Sequence, residues 1–315
     1  MRVFDHYSEA PAECRGGVVA LGNFDGVHLG HQAVIGAAQA IAREKAIPCG
    51  VMTFEPHPRL LFKPESETFR LTPALAKARL IGRIGVDFLL LQHFDRAFAA
   101  LSPQDFIRRV LLDALGVAHV VVGYDYAFGH GRGGNAEALQ AIGHELGFSV
   151  TCVGPVRAQD GALYSSTRVR EALRAGRVRE ATSILGRNWE IEGEVGHGDQ
   201  RGRQLGFPTA NIRLDDYMHP AFGVYAVRAA LGTGDSAPVV NGVANIGVRP
   251  TFDKKDAMLE AHLFDFDGDL YGRHLRIALV DFLRPERKFD GLDALRAQIA
   301  EDGRTARAIL AGLAE

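Results

Sequence analysis

Short β-branched and aliphatic runs, spaced by helix-length stretches, fill the first half of this chain and limit its fold more than any other feature. Val18–Leu21, Cys49–Phe54, Phe88–Leu91, Val120–Val122 and Ser149–Val153 read as strands buried on both faces. Between them, Gln32–Lys45, Ala74–Ile84, Pro103–Leu115 and Ala136–Leu146 read as helices. The third has Ser102 as N-cap and Pro103 at its first position. This alternation predicts an α/β fold, a doubly wound parallel sheet whose ligands bind at the carboxyl ends of the strands.

The pattern changes further on. Ser165-Ser166-Thr167 opens a helix over Arg168–Arg174, which Gly176 ends, and a short helix follows over Val178–Leu185. From Trp189 the chain reads as strands: Trp189–Val195, Gly223–Leu231, Val239–Ile246, Met258–Phe264 and Leu275–Phe282, with Gly, Asp and Pro turns between them. No long helix intervenes before Leu292–Leu313. The second half therefore predicts an antiparallel β-barrel with a terminal helix. The boundary falls near Thr182–Arg187, giving domains 1–184 and 185–315.

Composition narrows the partners. The 315 residues are 47% hydrophobic and 23% charged, and the formal net charge is -2. No global field recruits nucleic acid or a membrane surface. The cations are 30 Arg and 6 Lys, a bias suited to bidentate phosphate contacts. Cys14, Cys49 and Cys152 are odd in number and match no zinc spacing, so they read as free thiols of a reducing cytoplasm. Met1–Ala10 has no apolar signal-peptide core, and no apolar run is long enough for a transmembrane helix. The expectation is a soluble cytoplasmic protein that acts on small molecules, with its oligomeric state open.

The chemistry begins at the end of the first buried strand. Gly22-Asn23-Phe24-Asp25-Gly26-Val27-His28-Leu29-Gly30-His31 runs from a strand through a turn into a helix. Two imidazoles beside free backbone N–H groups, at the positive end of a helix, suit an anion such as a nucleotide phosphate. The H-x-G-H in this setting resembles the nucleotidylyltransferase signature. That superfamily has a Rossmann-like fold, and the resemblance implies His28 and His31 as donors to the α-phosphate, with Gly22, Asn23, Phe24, Asp25 and Gly30 forming the nucleotide loop. In such a transfer, charge builds on phosphate oxygens and no protein nucleophile is needed.

Three further segments support the resemblance. Tyr164-Ser165-Ser166-Thr167-Arg168-Val169-Arg170 is similar to the I-S-S-T-x-x-R element, with Tyr164 in place of Ile. It implies Ser165, Ser166, Thr167, Arg168 and Arg170 as phosphate ligands; alone, it would read as an ordinary helix cap. Thr53-Phe54-Glu55-Pro56-His57-Pro58-Arg59 resembles a loop of the flavin-adenylylating members, implying His57, Pro58 and Arg59 as phosphate or flavin contacts. Gly123-Tyr124-Asp125-Tyr126-Ala127-Phe128-Gly129 is similar to a G-x-D/N-F-x-F-G element, implying Asp125 and Phe128 beside the flavin. Gly129–Gly134 formally matches G-x-G-x-x-G, but the strand ends earlier, at Gly123, so it reads as a glycine loop over a phosphate.

The second half needs another phosphate device, because the chain has no Gly-Lys pair and hence no P-loop. Gly198-Asp199-Gln200-Arg201-Gly202-Arg203-Gln204-Leu205-Gly206-Phe207-Pro208-Thr209-Ala210-Asn211 supplies glycines for close backbone approach, and two oxygen ligands, Thr209 and Asn211, suited to hydrated Mg²⁺. It closely resembles the riboflavin kinase signature. The resemblance implies Gly202, Arg203, Gly206 and Pro208 at the nucleotide, Thr209 and Asn211 at the metal, Arg249 near the flavin, and Glu260 as general base in preference to Glu190, Glu192 or Glu194.

Both modules stand in the order of the prokaryotic bifunctional riboflavin kinase/FMN adenylyltransferase (FAD synthetase) family, and the resemblance covers the whole chain. It implies two ATP-dependent steps, riboflavin to FMN and then FMN to FAD, with Mg²⁺ as cofactor and pyrophosphate released. Two rivals remain at this point: an enzyme with one live module, and a flavin-binding sensor without chemistry.

Overall fold

The computed structural model describes residues 1–63, 68–197, 207–234, 236–250 and 255–313, with the backbone alone at 249–250 and 255–256. The chain forms two compact units. One comprises Met1–Glu67 and Thr72–Ser166, the other Thr68–Leu71 and Thr167–Glu315.

The first unit is built on a six-stranded sheet. Its strands are β1 (Arg2–Phe4), β2 (Val18–Leu21), β3 (Cys49–Glu55), β4 (Phe88–His93), β5 (His119–Gly123) and β8 (Ser149–Val153), in the order β1-β4-β3-β2-β5-β8. Every pairing is parallel. After β2 the chain adds β3 and β4 on one side, then crosses back to add β5 and β8 on the other. That reversal opens a crevice at the carboxyl end of β2, where doubly wound sheets bind ligands.

Helix α1 (Leu29–Lys45) follows β2 and buries Val34, Ile35, Ala38 and Ala42 against Val18, Ala20, Val51 and Val121. This 3.6-residue stripe against a fully buried strand explains the local order. Helices α2 (Pro58–Phe62) and α3 (Ala74–Ile84) come next, and Ala136–Leu146 is helical as expected. β6 (Ala127–Phe128) and β7 (Gly134–Asn135) form a small hairpin around the glycine-rich turn.

The structure departs from the sequence expectation in four places here. Ser149–Val153 is an edge strand, with Ser149 and Cys152 exposed, and so is not buried on both faces. The Pro103 helix starts as expected, with Ser102 Oγ accepting the Asp105 N–H at 3.0 Å, but continues from Phe106 to Ala114 as a π-helix. Helix α1 begins at Leu29, not Gln32. Strand β1 lacked a long enough apolar run to be seen in the sequence.

The second unit is an antiparallel sheet in the order β10-β13-β12-β11-β14-β9: β9 (Trp189–Glu194), β10 (Ala210–Arg213), β11 (Gly223–Ala230), β12 (Val239–Pro250), β13 (Lys255–Leu263) and β14 (His274–Pro285). Its two edges meet at a bridge between Gly196 and Asn211, which nearly closes the barrel. The period-2 alternation sorts the faces. Trp189, Ile191, Tyr225, Val227, Leu259, Ile277 and Leu279 are fully buried on one face. Val224, Ala226, Val243 and Val280 on the other pack against Ala306 and Leu310 of the terminal helix, Leu292–Ala311. Arg284 holds Asp302 of that helix through contacts of 2.7 to 3.1 Å.

The short segment Thr68–Leu71 is stitched into this unit: the Trp189 indole donates to the Leu71 carbonyl at 2.8 Å and the Met218 N–H to that of Arg70 at 2.8 Å.

Candidate active sites

In the first unit, the turn after β2 places His28 as the N-cap of α1. Its Nδ1 accepts the His31 backbone N–H at 3.3 Å. A ring nitrogen that accepts carries no proton, so the neutral His28 ring holds its proton on Nε2, where it can be donated onward. His28 and His31 stack with ring centroids 3.6 Å apart, and Phe24 meets the His31 ring edge-on at 5.3 Å. Gly30 leaves room for this pair: a Cβ there would lie 3.0 Å from His28 Cε1 and 3.4 Å from the Tyr164 carbonyl.

The loop itself is pinned from below. Buried Asp25 accepts from the Thr72 N–H at 3.0 Å and its hydroxyl at 3.2 Å, while Thr72 Oγ1 accepts the Gly26 N–H at 2.9 Å. Buried Phe24 fills the space beside Gly22, where a Cβ would come within 2.9 Å of the ring. The Asn23 carbonyl accepts from Thr53 at 2.9 Å. Asp25 and Phe24 thus hold the loop's shape, while Gly22 and Asn23 stay accessible above it.

Ser166 joins this cluster, its hydroxyl donating to the Asp25 carbonyl at 2.7 Å. Ser165 precedes it in the same unit, whereas Thr167, Arg168 and Arg170 fall in the second. There Arg168 lies 3.5 Å from Glu180, and Arg170 donates to the Phe69 carbonyl at 2.7 Å with its guanidinium over the Phe69 ring.

The expected flavin residues of the first unit sit after β3 and β5. His57 caps α2 by accepting the Arg59 N–H at 3.2 Å, with Pro58 at the first helical position. Arg59 and Asp125 are exposed. Phe128 is buried, lying between Phe106 at 5.5 Å and Tyr126 at 5.7 Å. Phe62, which the sequence reading passed over, is 68% exposed and meets Phe94 edge-on. Its signal was an aromatic on the short helix that Pro58 starts. Thr72 was missed too, because its link to Asp25 spans 47 residues.

In the second unit, Glu260 on β13 stands directly opposite Asn211 on β10 and Asn245 on β12. Opposed residues of antiparallel strands share a face, with Cβ atoms about 4.5–5.5 Å apart. Asn245 donates to Glu286 at 3.2 Å. Asn211 is buried and donates through Nδ2 to the Thr209 carbonyl at 3.2 Å. Pro208, Thr209 and Asn211 line a cavity of about 510 Å³ together with Val195, Leu263 and Tyr271.

A hydroxyl and a carboxamide next to each other are hard oxygen donors. They suit Mg²⁺, which takes one or two protein oxygens and completes its shell with phosphates and water. Glu190, Glu192 and Glu194 lie on β9, paired along β14 and not beside Asn211. Gly202, Arg203 and Gly206 lie outside the described residues. So does the Arg249 side chain, whose backbone pairs with Asp256.

A strand-to-helix histidine pair in one unit and a carboxylate–carboxamide row in the other call for comparison with known proteins. The FAD synthetase family model matches residues 10–168 and the riboflavin kinase model residues 185–310. A bifunctional riboflavin kinase/FMN adenylyltransferase of Escherichia coli (strain K12) is 45% identical over 312 residues, covering 98% of this chain and 96% of its own. The chain belongs to that family.

The Bacillus subtilis member of the family is 41% identical over 293 residues, covering 90% of each chain. A solved Streptococcus pneumoniae structure, titled a macrolide-efflux protein, superposes with a TM-score of 0.85 at 33% identity, covering 97% of this chain and 98% of its own. Among the described residues here, no helix is long and apolar enough to cross a membrane.

Proposed function

We propose that residues 1–184 carry the adenylyl-transfer site and residues 185–315 the kinase site of this family member. The enzyme is a riboflavin kinase and FMN adenylyltransferase: it phosphorylates riboflavin to FMN with ATP, then adenylylates FMN to FAD and releases pyrophosphate.

In the kinase step, the terminal hydroxyl of the ribityl chain attacks the γ-phosphorus of ATP. A P–O bond forms, ADP leaves, and Glu260 takes the hydroxyl proton. Thr209 and Asn211 would hold Mg²⁺, which would draw charge off the phosphate oxygens. The observation that carries this reading is the Glu260–Asn211 pair, which sets a base across one strand spacing from a metal ligand. Pro208 and Arg249 sit at the nucleotide and the flavin in this reading.

In the adenylyl step, an FMN phosphate oxygen attacks the α-phosphorus and pyrophosphate departs. His28 Nε2–H, His31 and the N-terminus of α1 meet the growing negative charge. Ser165 and Ser166 take the outer phosphates; His57, Pro58, Arg59, Asp125 and the exposed Phe62 ring take the flavin, while buried Phe128 supports the hairpin from the core. Free Cys14, Cys49 and Cys152 fit a cytoplasmic site of action.

Chromatography of riboflavin, ATP and Mg²⁺ incubated with the protein tests the reading. FMN appears first and FAD follows. Unchanged riboflavin would refute the kinase activity, and FMN, formed or supplied, that never becomes FAD would refute the second.

A further inference from the structure

We propose that His262 is a positioning residue of the kinase site, tethering the Phe207–Thr209 segment so that Thr209 and Asn211 face the nucleotide together. The inference rests on the kinase reading above and adds a residue to it.

β10 begins at Ala210, opposite Ala261, so residues 207–209 precede the ladder. Side chains reach two of their carbonyls instead. His262 Nδ1 lies 2.9 Å from the Pro208 oxygen, and Asn211 Nδ2 lies 3.2 Å from the Thr209 oxygen. A carbonyl only accepts, so His262 must hold its proton on Nδ1 and donate it.

The imidazole is itself braced on two sides. Phe207 meets it edge-on at 5.5 Å and Phe264 at 6.0 Å. Phe264 is in turn held by the Arg307 guanidinium, 4.2 Å from the ring centre, and Arg307 is forked onto Asp265 at 2.7 and 3.0 Å. A ring held this way has few alternative rotamers, so its hydrogen bond carries positional information.

Strand geometry ties the tether to the chemistry. Glu260 and His262 are two apart on β13 and therefore share a face. Glu260 is opposite Asn211, and His262 reaches the chain three residues upstream of Asn211. One strand thus fixes the base and the approach of the metal-ligand segment. Loss of the tether displaces Thr209 relative to Glu260 while the barrel ladder stays intact.

The test uses the full chain with His262→Leu and His262→Asn. An asparagine carries an amide N–H near where Nδ1 sits; a leucine fills space without donating. Two readouts are taken: kinase steady-state constants, and hydrogen exchange of the 207–213 amides with and without MgADP. His262→Leu is expected to raise KM for ATP roughly five- to tenfold, the worth of one hydrogen bond of this kind. KM for riboflavin stays within about twofold, exchange at 207–213 quickens, and adenylylation of supplied FMN continues. His262→Asn restores both readouts.

Equal losses in the two variants, an unmoved KM for ATP, or unchanged exchange at 207–213 would overturn the tether. If the leucine variant fails to fold, His262→Gln, whose amide sits one carbon further out, replaces it with the same expectation. A wild-type protein that makes no FMN would refute the kinase reading instead, and the exchange comparison would still decide the tether.

Discussion

The His28 ring accepts the His31 backbone N–H through Nδ1, so one buried imidazole caps helix α1 while keeping an Nε2 proton to donate. The two jobs can be separated. Asparagine is among the best N-caps but has no donor at the Nε2 position. His28→Asn should therefore leave the melting temperature close to wild type. FAD formation from FMN should fall about 10²–10³-fold, the usual loss for a donor aimed at developing phosphate charge. FMN formation should persist. A variant that retains full adenylylation would remove His28 from the chemistry.

Gly30 offers a second probe of the same geometry. In a helix, alanine is favoured over glycine by about 1 kcal/mol. Here the added methyl would sit 3.0 Å from His28 Cε1 and 3.1 Å from Nδ1. Gly30→Ala should push the ring off its position and lower adenylylation at least about tenfold, while stability holds or rises. Steady-state kinetics and thermal melting together check it; unchanged kinetics would mean that the ring tolerates displacement.

The strand–helix–strand order of the first unit was readable because β2 is buried throughout and β3 and β5 along all but their last residues, and a continuous apolar run has few other readings. His28 and His31 were found because their spacing and their turn are local. Thr72 and the Thr68–Leu71 stitch were not, because both depend on contacts across tens to over a hundred residues. β10 is only four residues long and starts on the last two residues of the signature, which hid it. His262, two residues past Glu260, showed no role in the sequence, since its partner, the Pro208 carbonyl, carries no side-chain signal.

Trp189 tests what holds the second unit together. Its side chain is 1% exposed and donates to the Leu71 carbonyl at 2.8 Å. Trp189→Phe keeps most of the apolar volume but strands that carbonyl, at a cost of about 1–3 kcal/mol. Trp189→Ala adds a cavity and should cost about 3–5 kcal/mol. Urea unfolding followed by loss of kinase activity measures both. Equal stability of the phenylalanine variant and wild type would mean that water satisfies the carbonyl.

The thiols give a pH-dependent check. Burial pushes the Cys49 thiol up to about 12, with the nearby Asp87 charge adding to the shift, and burial also raises Cys14. At pH 8 a thiol with that value is about one part in 10⁴ thiolate, the reactive form. Cys152 is exposed. Iodoacetamide at pH 8 should label Cys152 alone in the native protein and all three thiols after denaturation. Cys49 should stay slow as the pH is raised toward 10. Rapid native labelling of Cys49 would contradict its burial.

The central claim is that two separate sites act in succession. Glu260→Gln removes the proposed base and should cut FMN formation by about 10²-fold or more, leaving adenylylation of supplied FMN intact. His28→Asn does the reverse. The direct measurement mixes these two purified variants with riboflavin, ATP and Mg²⁺ and follows FAD by chromatography. Each variant alone should make little or no FAD from riboflavin, and the mixture should make it through FMN released by one and adenylylated by the other. A folded variant that loses both steps, or a mixture that makes no FAD while FMN accumulates, would contradict the account.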